Sequence, residues 1–237
     1  MPDGGEPAST PALPHARDVL LVVLAMGAGA VDAITLTALG VFTAAITGNL
    51  VLVGLALGSG NGGQALRAGA AFAAFALGLV LAGRVLGEAG GEPALRSRAR
   101  EVIVAVALVQ AAFAIAWIAL DGAPHGAERV ALIAAAALAM GAQTEAVRTW
   151  HARGITTTYV TGTLTLLVNE LLEHADTRRD RLRRGGVIAG VVAGATLGSL
   201  LLDHAHGAAP LLPLALSLVV AVALPAARRR AHTGHVG

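Results

Sequence analysis

Eight apolar runs dominate the chain, over residues 18–40, 42–58, 65–87, 102–120, 129–150, 155–172, 184–202 and 210–227. Short polar or glycine-rich breaks separate them, and the longer runs match the ~20 residues a helix needs to cross a bilayer. The pattern predicts an all-α polytopic membrane protein with helices and no strands. Two runs are interrupted by small polar residues. Residues 41–52 read VFTAAITGNLVL, and 155–166 read ITTTYVTGTLTL. The second is a copy of the first, 114 positions on. From 25–52 to 139–166 the chain repeats without a gap at 12 of 28 positions, including an AMGA block, Gly40/Gly154, Thr43/Thr157, Thr47/Thr161 and Gly48/Gly162. Further along, Leu66-Arg67-x-Gly69 is echoed by Leu182-Arg183-x-Gly185, and Gly78 by Gly194, at offset 116. Each half therefore holds four segments. The expected organisation is a disordered tail over 1–17, a first membrane repeat over 18–120, an external link over 121–128, a second repeat over 129–227 and a tail over 228–237.

Charge decides how many runs cross. All 17 basic residues are arginine. If all eight runs cross from an inside N-terminus, the arginines divide 11 inside to 6 outside. If 42–58 and 155–172 instead dip in and return on the side they entered, the division is 15 to 2, with Arg67 and Arg129 outside. Short-loop arginine marks the cytoplasmic face, so six spans with two re-entrant segments are preferred over eight spans. Three crossings per half place the second copy upside down relative to the first, giving inverted repeats with both termini cytoplasmic.

Composition sharpens this picture and removes other classes. The chain is 55% hydrophobic and 14% charged, with a mean hydropathy of +0.70. A formal charge of +2, with its arginines between apolar runs, fits juxtamembrane anchoring and not a nucleic-acid face. There is no cysteine, which excludes disulfides, thiolate metal sites and thiol catalysis. The absence of lysine beside abundant alanine, glycine and arginine points to a GC-rich bacterial genome. No phosphate-binding loop, HExxH or GxSxG is present, so neither an enzyme nor a cofactor is expected.

The polar residues inside the apolar runs are the candidate site. In each re-entrant segment a non-helical entry should break at Gly48 or Gly162 and continue as a short helix, N-capped by Thr47 or Thr161. The two helix starts would meet near mid-membrane and offer free N–H groups to a small polar or anionic solute. Thr43, Asn49, Thr157 and Thr163 would line the same place. Full helices with back-bonded threonines are the alternative. After Asp18 at its start, Asp32 is the only acid in the first apolar run, and Glu145, with Gln143 beside it, lies at the matching level of the second half. An acid within a span is by default a proton carrier or substrate partner, although Glu145 also stands next to Arg148. Gly186, Gly190, Gly194 and Gly198 recur every four residues, echoed by Ala70, Ala74, Gly78 and Ala82. Such smooth faces let helices approach closely, within the chain or in a homodimer. Asp203, His204 and His206 are a weak zinc or copper donor set in a short loop. Trp117 and Trp150 sit where interfacial anchors usually do.

The stretch GAVDAITLTALGVFTAAITGNLVLVGLALG followed by AMGAQTEAVRTWHARGITTTYVTGTLT resembles the YoaK-like family of uncharacterised bacterial membrane proteins. The resemblance covers residues 18–225. It implies a six-helix protein of the bacterial inner membrane and brings no catalytic or binding residues with it. A small secondary permease or channel-like transporter is the function expected from the paired breaks. A membrane scaffold that binds partner helices is the alternative.

Overall fold

A computed structural model describes residues 14–89, 91–149, 162–165, 168 and 178–224. Its helices are α1 (Pro14–Leu39), α2 (Ile46–Gly58), α3 (Gly62–Gly87), α4 (Glu92–Ala119), α5 (Gly126–Arg148), α6 (Arg178–His204) and α7 (Leu211–Ala223). A short 3-10 turn over His206–Ala208 leads into α7. No strand occurs among the described residues. Among the described residues six helical stretches are long and apolar enough to cross a bilayer, namely those carried by α1, α3, α4, α5 and α6 and the stretch His206–Ala223. The chain is a polytopic all-α membrane protein.

The exception is α2. Its 13 residues rise about 20 Å, well short of a ~30 Å hydrocarbon core. Its neighbours show what it does instead. Gln64, in the first turn of α3, donates from Nε2 to the carbonyl of Gly40, just past the end of α1, at 2.7 Å. The end of α1 and the start of α3 therefore share one face of the bundle. Between them the chain dips inward, forms α2 and returns, with Leu50, Val51, Leu55 and Leu57 exposed on the outer side of α2. This is the re-entrant path that the arginine distribution favours. The eight-span alternative would require α2 to cross completely.

The relative direction of the two halves is read from contacts between equivalent helices. Arg129 of α5 donates to the carbonyl of Ala38 of α1 at 3.0 Å, while Gln143 of α5 donates to Leu24 of α1 at 3.3 Å. Low numbers on one helix meet high numbers on the other, so α1 and α5 are antiparallel. Copies whose first helices oppose one another are inverted. Eight full spans would have made them parallel. The halves also exchange partners: α1 packs along α6, the third helix of the other half, and α5 along α3.

Glycine makes those two crossings close. A Cβ on Gly194 would collide with the Met26 carbonyl of α1, and one on Gly29 with the Val191 carbonyl of α6. At the equivalent crossing, a Cβ on Gly78 would collide with the Leu138 carbonyl and one on Gly141 with the Phe75 carbonyl. Gly186, Gly190 and Gly198 also face α1, near Val22 and Ala30. The glycine face, expected to let helices approach closely within the chain or in a homodimer, makes these close approaches within the chain.

Trp117 also departs from expectation. It is fully buried, stacked on Phe113 at 5.9 Å, and donates from Nε1 to the His206 carbonyl at 3.0 Å. A buried indole needs an acceptor for its N–H, and the 3-10 turn before α7 supplies it. Trp150 lies outside the described residues.

Taken with the arginine distribution, which places both termini inside, the bundle makes a prediction about sidedness. The native chain has no cysteine, so Gly62→Cys, at the start of α3, and Ala94→Cys, at the start of α4, are clean probes. In intact cells a membrane-impermeant thiol reagent is expected to label position 62 and to spare position 94. The reverse pattern would contradict that arrangement, either in its orientation or in the path of α2.

Candidate functional site

The site begins where α1 ends. Gly40 takes φ +76°, a left-handed conformation that stops the helix at little cost to glycine. Residues 41–45 then turn back beside α1 without regular structure, which leaves consecutive backbone N–H groups with no helical partner. Within a bilayer such groups must find acceptors in the protein. Asp32 supplies them. Its Oδ1 accepts from the N–H groups of Thr43 and Ala44, each at 2.7 Å, and its Oδ2 accepts from Ala45 at 2.9 Å. The Thr43 hydroxyl stands 3.4 Å from Oδ1 and 3.4 Å from the hydroxyl of Thr35. Asp32 lies seven residues before Leu39, so this knot sits about 10 Å below the end of α1.

Asn49 completes the loop. It is fully buried, accepts at Oδ1 from the Phe42 N–H at 3.0 Å, and donates from Nδ2 to the Phe42 carbonyl at 2.6 Å. A side-chain amide has the donor and acceptor needed to stand in for a ladder partner. Gly48 makes room beneath it, since a Cβ there would lie 2.7 Å from the Phe42 ring.

This arrangement changes two expectations. Helix α2 starts at Ile46 with Ala45 as its N-cap and no capping side chain from its own segment. Thr47 is therefore not the cap. It sits exposed in the first turn, and Gly48 lies inside the helix instead of breaking it. Nor do the donors before α2 stand free for a solute. A carboxylate reaching across from α1 already holds them, which is the complement that the positive end of a helix favours.

The remaining sequence candidates do not all gather here. Gln143 is buried against Leu24 and leaves its Oε1 without a partner. Glu145 pairs with Arg148 at 2.6 and 2.9 Å. Because α1 and α5 are antiparallel, Glu145 lies near the level of residue 22, roughly 15 Å along the bundle from Asp32. It forms an ion pair near the end of its span and does not join the Asp32 knot. Thr157 and Thr161 lie outside the described residues. Gly162 and Thr163 belong to a helical stretch over 162–165, and Thr163 is buried. Among the described residues no group of three His, Asp or Glu could hold a metal ion. His206 is spent on structure: its ring packs on Trp117 at 5.2 Å, and its two nitrogens face the Leu202 and Gly122 carbonyls at 3.2 and 3.1 Å.

A residue not singled out in the sequence completes the site. A small apolar cavity of ~10 Å³, room for about one water molecule, lies between α1, α4, α5 and the start of α7, lined by Val31, Ile34, Phe113, Ala136, Met140, Pro210 and Pro213. Its polar lining is Thr35 and Gln110. Gln110 is 5% exposed, and neither its Nε2 nor its Oε1 has a hydrogen-bond partner. A buried amide with both ends unmet is costly and calls for an explanation. The signal was present in the sequence: Gln110 is the one polar residue in the apolar run 102–120. The cavity thus carries an unpaired amide, and through Thr35 and Thr43 it adjoins the Asp32 knot.

No curated protein and no solved structure matches the chain. A family model described as a protein of unknown function, DUF1275, matches residues 20–223, from the second turn of α1 to the last residue of α7. That match takes in both inverted halves together with the knot and the cavity, and the chain belongs to the DUF1275 family.

Proposed function

We propose that this chain, a YoaK-like member of its family, is a small secondary permease or channel-like transporter of the bacterial inner membrane with both termini in the cytoplasm. Its solute is a small, neutral, hydrogen-bonding molecule. The observation that carries the reading is Gln110, a buried amide with a free donor and a free acceptor in a small cavity between the two inverted halves. Transport sites in repeat-built carriers lie at such a junction, near an interrupted helix. A neutral polar solute is favoured over an anion on electrostatic grounds. The loop donors that would neutralise an anion are already engaged by Asp32, whose own charge lies behind Thr35 and Thr43. In this reading Gln110 and Thr35 bind the solute, and Asp32, Thr43 and Asn49 hold the wall behind it.

Osmotic swelling of proteoliposomes tests it, with urea, formamide and glycerol as the solutes. The wild-type protein is expected to admit at least one of them faster than protein-free liposomes, and Gln110→Leu to remove at least ~90% of that excess. Leucine also removes the unmet amide, so the variant should fold at least as well as the wild type. Equal rates for wild type and variant, or no excess over empty liposomes, would overturn the reading.

A further inference from the structure

The end of the bundle that holds the C-terminus of α1 carries two cations that, among the described residues, have no counter-charge. Arg67, in the second turn of α3, donates from Nη2 to Oε1 of Gln64, which in turn donates to the Gly40 carbonyl. Arg129, at the start of α5, donates from Nη2 to the Ala38 carbonyl at 3.0 Å. A Cβ on Gly40 would lie 3.6 Å from Gln64 Oε1 and 4.0 Å from Arg129 Nη2, so both groups converge on that corner. Both guanidinium groups are half-buried, and the charge of Arg67 reaches Arg129. Each Nε is buried with no acceptor, and among the described residues neither arginine pairs with a carboxylate. Glu128, next in sequence, is exposed.

The internal repeat supplies a comparison within one chain. Offset 116 carries Arg67 to Arg183, at the start of α6, where α6 meets α1 as α3 meets α5. At that junction Arg183 faces Asp18 at 3.9 Å. The position in α5 that corresponds to Asp18 is Leu132, and one turn before it stands Arg129. One junction is an acid–base pair, while its inverted counterpart is a pair of bases. Two like charges held side by side in a partly desolvated corner repel unless something negative joins them.

We propose that Arg67 and Arg129 form a binding site for a phosphate-class oxyanion, with their unspent N–H groups as donors and the anion in the electrostatic place that Asp18 fills at the other junction. Guanidinium forks match the geometry of phosphate oxygens, and a phospholipid headgroup and a free phosphate offer the same chemistry. The site does not depend on the transport reading, because the cavity lies deeper and none of the residues lining it takes part.

Thermal unfolding of delipidated protein in neutral detergent tests the site, with inorganic phosphate and phosphatidylglycerol titrated separately. The variants are Arg67→Gln, Arg129→Gln, the double variant, and Arg84→Gln as an exposed control on α3. Wild type and Arg84→Gln are expected to be stabilised. Each single variant should need roughly ten- to a hundredfold more ligand, and the double variant should show no saturable shift. Stabilisation by inorganic phosphate makes a free oxyanion sufficient, and stabilisation by the lipid alone identifies a headgroup. If neither ligand stabilises the wild type, or if the double variant responds like the wild type, the proposal fails. Glutamine keeps side-chain donors and removes repulsion, so the variants should fold; should the double variant not fold, unchanged titrations of both single variants would refute the site equally.

Discussion

Asp32→Ala is expected to destabilise the protein by about 3–6 kcal/mol, since each of three buried N–H groups would lose its acceptor at roughly 1–3 kcal/mol apiece, offset in part by relaxation. The groups are those of Thr43, Ala44 and Ala45, and the apolar surroundings offer few replacements. Asp32→Asn should fall between wild type and alanine. Its amide oxygen can still accept from Thr43 and Ala44, but its NH2 would then face the Ala45 N–H, donor to donor. Unfolding in mixed micelles of a mild detergent and dodecyl sulfate would measure the series. An alanine variant as stable as wild type would show that the loop before α2 does not depend on Asp32. The order also separates positioning from proton carriage, because a residue needed only for its charge would lose transport in the asparagine variant without a matching loss of stability.

The second large effect is expected at the helix crossings. Gly194→Leu in α6 and Gly78→Leu in α3 should each destabilise the bundle by about 3 kcal/mol or more, above the usual range for overpacking. The atom each new Cβ would strike is a backbone carbonyl oxygen, of Met26 or of Leu138. Neither can move aside as a side-chain tip can, so α1 and α6, or α3 and α5, would have to part along their length. Even alanine should be poorly tolerated. Gly54→Ala in α2 is the control: nothing stands within 4 Å of its Cβ, so the change should be neutral or stabilising by up to ~1 kcal/mol through helix propensity. Equal stability for the α6 and α2 variants would refute the close crossing.

The equivalence of these two crossings shows how much an inverted repeat conveys through spacing. Gly78 and Gly194 correspond by offset alone, and both meet a carbonyl on the first helix of the opposite half. Asp32 shows where that legibility stops. As an acid in an apolar run it was recognisable as special, but its partners lie 11–13 residues further on, across a turn whose shape depends on Gly40. Thr47, in the position expected of a cap, proved exposed in the first turn, because the helix begins before it, at Ile46 with Ala45 as its N-cap. Gln110 was visible as a lone amide yet carried no spacing or symmetry to mark it.

By itself the sequence determined that the protein spans a membrane and that it is built from two copies, and its arginines favoured a re-entrant run before α3 over a crossing one. Hydropathy, repetition and arginine placement are properties of single segments, and the bilayer acts on each segment directly. Only the tertiary structure decided that the copies trade helices, that the glycine faces make close approaches within the chain, that Asp32 closes the mouth of α2, and that Arg67 and Arg129 share a corner. Those facts depend on which side chains from distant segments fall within hydrogen-bond or contact distance. Periodicity along one helix carries no information about the neighbour it will meet.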